Sequence, residues 1–215
     1  MKKLFLEQFK LNFPVALFFF PLFGFFAFIP NYPLIVAPGY SILGVMVYVQ
    51  AVKANSSIEF SAMLPVRRRD ISGAICLASA SIQLAILLVA VPFAFWARAV
   101  MPEGNIVGID ANFSFFAYSL LCYSAFNLVF MPAYFKTGYK FGIPLILGLI
   151  TFIAVYGIIE LTVQLTPALY SVLDGFALSG IYARLAFLLG AAAVYAGTLA
   201  LSVKLAGDKF EKANL

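Results

Sequence analysis

From Leu11 to Val52 the chain carries no charged residue; the flanking charges are Lys10 and Lys53. A water-soluble domain is about one-quarter charged residues and cannot sustain such a run. The rest of the chain repeats the theme, being 64% hydrophobic and 11% charged over 215 residues. A chain of this size has too little interior to bury that much apolar side chain, so the bilayer is its natural solvent. A helical crossing needs about 20 apolar residues, so the opening run is too long for one span. It is broken by "IPNYPL" (Ile29–Leu34), whose two prolines and Asn31 read as a tight turn. The expected spans are therefore 13–29 and 34–52, followed by charge-poor runs at 71–97, 111–135, 142–164 and 181–203. Barrel strands are about ten residues of strict alternation, and nothing here alternates. The expected fold is all-α: one polytopic membrane domain, 1–215, with six transmembrane helices.

The first residues, "KKLFLEQFKLNF" (Lys2–Phe13), place Lys3, Glu7 and Lys10 on one helical face, with Leu4, Phe5 and Phe9 elsewhere. They read as a short interfacial helix, or more simply as a basic flank of the first span. A cleaved leader is not expected, because no small-x-small site follows the apolar run.

Lysine and arginine fix the orientation. Lys2, Lys3, Lys10, Lys53, Arg67, Arg68, Arg69, Lys136, Lys140, Lys204, Lys209 and Lys212 fall on one side of a six-span chain, and only Arg98 and Arg184 fall on the other. That asymmetry puts both termini in the cytoplasm. It accounts for the net charge of +5 without a nucleic-acid partner, since the charges flank four membrane segments and form no single face.

Catalytic chemistry has few carriers. The chain has no histidine, which removes the usual zinc ligand, the serine–histidine dyad and the commonest proton shuttle. Cys76 and Cys122 lie inside spans as small packing residues. No GxxxxGK[ST] loop cradles a nucleotide, and no charge falls near an expected bilayer midplane. Glu160, Asp174 and Arg184 lie toward the outer ends of spans five and six. Two carboxylates beside an arginine at an interface suit an anchor or vestibule lining better than an acid–base pair.

The polar stretch "SSIEFSAMLPVRRRDI" (Ser56–Ile71) stands between spans two and three. Ser56 precedes Glu59 by capping-box spacing, so a short helix is expected to begin there. Leu64–Pro65 stops it, and the chain resumes at Val66–Asp70, where arginines can hold lipid phosphates. The helix is expected to expose Ile58, Phe60 and Met63 as a knob for another protein. An ordinary topology-setting basic loop fits the same residues.

Glu59, Leu64, Pro65 and Arg67 form an acidic–x(4)–L-P-x-R pattern, and "MPAYFKTGYKFG" (Met131–Gly142) follows span four. Together with size, span number and orientation, these resemble the membrane subunits of type-two ATP-binding-cassette exporters, in a small six-span bacterial subfamily. The resemblance implies a coupling helix carried by Ser56, Ile58, Glu59, Phe60, Met63, Leu64, Pro65 and Arg67. That helix would seat in a separate cytoplasmic ATPase, which supplies the ATP and magnesium; no cofactor is expected in this chain. Glu59 would pair with a basic residue of the ATPase or of the interfacial helix, and Arg67 would hold lipid phosphate or a partner carboxylate. It also implies a pathway lined by two copies or by a copy and a paralogue, in a bacterial plasma membrane. "ELTVQLTPALYSVLDGF" (Glu160–Phe176) resembles the extracellular gate hairpin of such permeases, turned at Thr166–Pro167, with Arg184 expected to pair with Asp174 or Glu160. Known members of this kind imply an amphipathic or hydrophobic substrate, antimicrobial peptides among them. The 24 phenylalanines and 11 tyrosines suit that, although most would simply face lipid. A non-transport assembly factor or sensor, and a small membrane enzyme acting on lipid, are the rival readings.

Overall fold

The computed structural model describes residues 2–212, with side chains from Leu4 onward, so the side chains of Lys2 and Lys3 lie outside the described residues. Helix α1 (Lys2–Asn12) leads into two short 3-10 segments, Val15–Phe18 and Phe20–Phe28. The rest is α-helical: α2 (Val36–Ala54), α3 (Ser57–Met63), α4 (Arg68–Val100), α5 (Phe113–Lys136), α6 (Gly142–Leu165), α7 (Pro167–Leu173) and α8 (Ile181–Glu211), with a 3-10 turn at Leu178–Gly180. Among the described residues there is no strand. Helices α2, α4, α5, α6 and α8 are each long and apolar enough to cross a membrane. The sixth candidate is a bent pair, in which α1 turns through 103° into Val15–Phe28. The protein is a polytopic, all-helical membrane protein.

That first crossing is not the α-helix its apolar run suggests. Proline at Pro21 has no N–H, and in an α-helix its ring would strike the carbonyl four residues back. The tighter winding also gives reach, since fourteen residues at about 2.0 Å each extend about 28 Å, close to a bilayer core of about 30 Å. Three residues per turn sort the side chains into columns. Phe19, Leu22 and Phe25 are exposed. Phe20 meets Phe23 edge to face, Phe23 stacks on Phe26, and Phe23 lies 4.1 Å from Tyr40 of α2 between ring centroids. Pro21, Gly24 and Ala27 form the small-residue column, with Gly24 and Ala27 buried. A Cβ on Gly24 would lie 2.7 Å from the backbone nitrogen of Ala90 and from the carbonyl oxygen of Ile86, so only glycine lets the crossing lie this close to α4. The expected turn at Ile29–Leu34 follows, with Asn31 in the left-handed region at φ 54°.

Helix α5 is the centre of the bundle, with α4, α6 and α8 around it; 67% of its most apolar stretch is buried against 17% for α6 and α8. Broad apolar faces of α6 and α8 are left uncovered by the rest of the chain. A reciprocal amide pair ties the interior. Gln83 of α4 donates to Asn127 Oδ1 at 3.0 Å, Asn127 donates back to Gln83 Oε1 at 2.9 Å, and Tyr195 of α8 donates to the same Oε1 at 3.1 Å. All three are buried, so each polar atom has to find its partner in protein. Helix α4, with 33 residues, is about 50 Å long and reaches past the core at its N-terminus. There Arg69 bridges Asp208 and Glu211 at 2.8 and 3.0 Å, and the Arg68 guanidinium lies 5.7 Å from the Phe210 ring centroid. This end of the bundle holds both described termini and is the terminal end; the α4–α5 and α7–α8 connections form the loop end.

Candidate functional site

At the terminal end α1 and α3 are joined by a chain of buried side-chain hydrogen bonds. Gln8 Nε2 donates to Ser61 Oγ at 2.9 Å, Asn12 Nδ2 to Gln8 Oε1 at 2.8 Å, and Ser57 Oγ to Asn12 Oδ1 at 2.5 Å. Asn55 Nδ2 donates to the Leu11 carbonyl at 2.8 Å and to Asn12 Oδ1 at 3.2 Å. Gln8, Asn12, Ser57 and Ser61 are all essentially inaccessible. Each is satisfied only while the two helices stay together, and an orphaned buried group costs about 1–3 kcal/mol. The two helices therefore behave as one rigid platform. Sequence reasoning singled out neither Gln8 nor Asn12 and so missed this network. The signal was Gln8 and Asn12 continuing the i, i+4 stripe begun by Leu4, which is buried as well.

The residues singled out in the α2–α4 connection fall on two faces of this platform. Ile58 is only 1% exposed, which corrects the expectation that it forms part of a knob. A seven-residue helix has two faces, and the one carrying Ser57, Ile58 and Ser61 turns to the bundle. The capping box is also not formed. Ser56 lies in the left-handed region at φ 47° and makes no side-chain cap; its carbonyl instead accepts from Phe60 N–H at 2.9 Å. The tight reversal from α2 into α3 needs that conformation and takes the hydroxyl away from the helix start. Glu59, Phe60 and Met63 are exposed, Met63 at 83%. With Leu11, Asn55 and Ser56 they line a concavity of about 630 Å³. Leu64 ends α3 in extended conformation, Pro65 follows on the surface, and exposed Arg67 stands at the N-terminus of α4. Glu59 makes no ion pair among the described residues. Its charge acts on Tyr139 in the α5–α6 loop, whose hydroxyl is pushed up to about 12, first by burial and then by Glu59, against the opposing pull of Arg68.

The loop end gathers a second polar constellation. Arg184 is 3% exposed and points its guanidinium at main-chain oxygens: Nε donates to Val172 at 2.9 Å, and the two terminal nitrogens donate to Ala177 and Asp174 at 3.0 Å. It makes no ion pair with Asp174 or Glu160, which corrects the expected pairing. The last carbonyls of α7 have no helical partners, and a buried cation beside them satisfies both hydrogen bonding and the helix dipole. A Cβ on Gly180 would lie 2.6 Å from the Val172 oxygen and 2.9 Å from an Arg184 nitrogen, so glycine keeps this contact open. Asp174 turns its carboxylate the other way, accepting from the Asp110 N–H at 2.9 Å. Asp110, 4% exposed, accepts from the Asn105 N–H, and its carboxyl lies close enough to that of Asp174 for the two charges to act on each other. Asn112 caps α5 through Ser114 N–H and also donates to the Leu173 and Gly175 carbonyls. Glu160 stands apart on α6, accepting from Gln164 at 3.3 Å beside Gly108. Thr166 is the single extended residue between α6 and α7, and Pro167 opens α7. Asn105, Asp110 and Asn112 were not singled out in the sequence; the cue was several polar residues within a short connection of a chain this apolar.

A family model described as "ABC-2 family transporter protein" matches residues 2–206. The chain belongs to the ABC-2 transporter family. It is a membrane-embedded permease subunit of an ATP-binding-cassette transporter, a transport subunit of a kind that works with ATP-binding partners. No curated protein and no solved structure matches it. In this ABC-2 permease, among the described residues, no group of three or more cysteine, aspartate or glutamate residues is placed to hold a metal ion.

Proposed function

We propose that this permease is the pathway-forming half of an exporter, driven by an ATPase that seats on the α1–α3 platform. The observation that carries the reading is the division of α3 into two faces. Its inner face is sewn to α1 through Gln8, Asn12, Ser57 and Ser61, while Glu59, Phe60 and Met63 project outward around a concavity. A coupling element needs both properties: rigidity toward the membrane, and an apolar, charged grip toward the partner. The ATPase brings ATP and its magnesium. Its closure displaces the platform, Phe13–Pro14 passes the displacement to the first crossing, and Arg67–Asp70 passes it to α4. Because Gly24 holds the crossing against α4, the two move together.

In this reading both termini are cytoplasmic in a bacterial plasma membrane, following the lysine and arginine bias. The α6–α7 hairpin, Glu160–Phe176, is the outer gate: Thr166 and Pro167 turn it, Arg184 holds it, and Asp174 and Glu160 flank it. Two copies, or one copy and a paralogue, enclose a pathway for an amphipathic or hydrophobic substrate, an antimicrobial peptide fitting that chemistry. The test is replacement of Glu59 by Gln and Phe60 by Ala in the complex with its ATPase. The expected result is ATP hydrolysis uncoupled from transport, with the melting temperature of the permease unchanged. Undiminished transport with both replaced refutes the coupling role.

A further inference from the structure

Toward the loop end, α4, α5 and α8 line a cavity of about 560 Å³, to which the proposed mechanism gives no occupant. Its length is set by α4: from Leu84 to Arg98 is fourteen residues, about 21 Å along the helix axis. Half of a bilayer core is about 15 Å, so the groove runs from deep in the membrane to the headgroup level. The walls are hydrocarbon, from Leu87 and Val91 on α4, Phe116 on α5 and Leu188 on α8. Leu88 and Phe95, 71% and 70% exposed, form its open rim. Its polar side chains, Arg98, Asn112 and Arg184, are all at the loop end. Arg184 is committed to three carbonyls, and Asn112 to the hairpin and the start of α5. Arg98 is exposed and makes no ion pair among the described residues.

We propose that this groove is a lipid site: it takes one acyl chain of an anionic phospholipid from the adjoining leaflet, whose net negative headgroup rests on Arg98. Charge complementarity selects this occupant. An apolar slot with a single uncommitted cation at its headgroup end matches an amphiphile with a hydrocarbon tail and an anionic head. A second copy of the chain is a poorer match, because a stable interface covers about 800 Å² on each partner, whereas this is a narrow cleft the size of a small-molecule pocket. The bound chain packs against α4, α5 and α8 at once, beside the arginine that holds the hairpin. The proposal does not depend on the direction of transport or on the ATPase.

The test uses the full chain in nanodiscs containing phosphatidylglycerol with a photoreactive group in its acyl chain, and in parallel the phosphatidylcholine with the same chain. Adducts are mapped by mass spectrometry. With phosphatidylglycerol they are expected to concentrate on Leu87, Val91, Phe116 and Leu188, above the level on the exposed α6 residues Ile150 and Ile153. Phosphatidylcholine is expected to label the groove no more than it labels α6. Arg98→Gln is expected to lower groove labelling about fivefold, the worth of one basic side chain at an anionic surface, and to leave α6 labelling unchanged. Val91→Trp is expected to abolish groove labelling by filling the slot. Equal groove labelling by the two lipids, or no effect of Arg98→Gln, overturns the proposal. So does a groove free of adducts whose Leu88→Cys variant cross-links to a second copy.

Discussion

Neutralising Asp110 should stabilise this protein, and the effect should disappear in acid. The Asp110 carboxyl is 4% exposed and lies against Asp174 of the hairpin. Burial is the main reason its pKa is pushed up to about 6 from 3.8; the Asn105 N–H pulls it down, and Asp174 pushes it further up. The other groups that bear on the junction are Arg184 from α8, whose charge acts on both aspartates, and, acting on Asp174, Glu160 and Tyr156 from α6 and Tyr118 from α5. The folded protein thus binds this proton more tightly than the unfolded chain does. The resulting stability is fully present below about pH 4, is lost as pH rises, and is gone once pH passes through about 6. A difference of about 2 units corresponds to about 3 kcal/mol. An asparagine at this position would have the shape of the protonated acid. Its oxygen can still accept from Asn105, and it brings no charge into the buried site beside Asp174, so Asp110→Asn should recover most of that energy at neutral pH. The assay is thermal unfolding of both proteins in the same detergent between about pH 4 and pH 8. The variant should melt several degrees higher than wild type at neutral pH, and the two should converge near the acid end. A gap that does not change with pH, or a variant less stable at neutral pH, would refute the reasoning from the buried carboxyl.

Three further perturbations bear on other parts of the molecule. Arg184→Glu should free the hairpin and raise the labelling rate of a cysteine at the half-buried Leu173, and adding Asp174→Arg should not restore protection, because the arginine's partners are carbonyls rather than carboxylates. Restoration by the swap would reinstate an ion pair. Gly24→Ala should lower stability by about 1–3 kcal/mol, measured as a drop in melting temperature, because the new methyl meets the α4 backbone, which cannot rotate away. For topology, cysteines at Met63 and Lys209 should be closed to an impermeant reagent added outside and one at Ile106 should react; these positions are exposed, unlike Ser57, which is buried. Outside labelling at Met63 would invert the orientation.

The gross fold was legible because the bilayer leaves so few choices. Uncharged runs long enough to cross are helices, and the interruptions at Ile29–Leu34 and Ser56–Asp70 are connections between them. What stayed hidden shares one physical cause: these features depend on main-chain groups or on polar residues turned inward. Every residue has a carbonyl, so nothing in the sequence marks Val172, Asp174 and Ala177 as the ones left for Arg184, and a nearby carboxylate looked like the natural partner. The 3-10 winding of Val15–Phe28 was likewise masked, because periods of 3.0 and 3.6 cannot be told apart in a run that is apolar on all sides; Pro21 was the local clue. Gln8 and Asn12 drew no notice in the sequence, because amides of an interfacial helix normally face water, yet they are turned in against α3. The same inward turn explains Ile58. Once Ser57 and Ser61 are committed to Asn12 and Gln8, Ile58 is carried to the inner face with them, and only Glu59, Phe60 and Met63 remain to meet a partner. Polarity alone would have assigned those faces the other way round. In α3 it is hydrogen-bond partnership, not hydrophobicity, that decides which residues are free to bind.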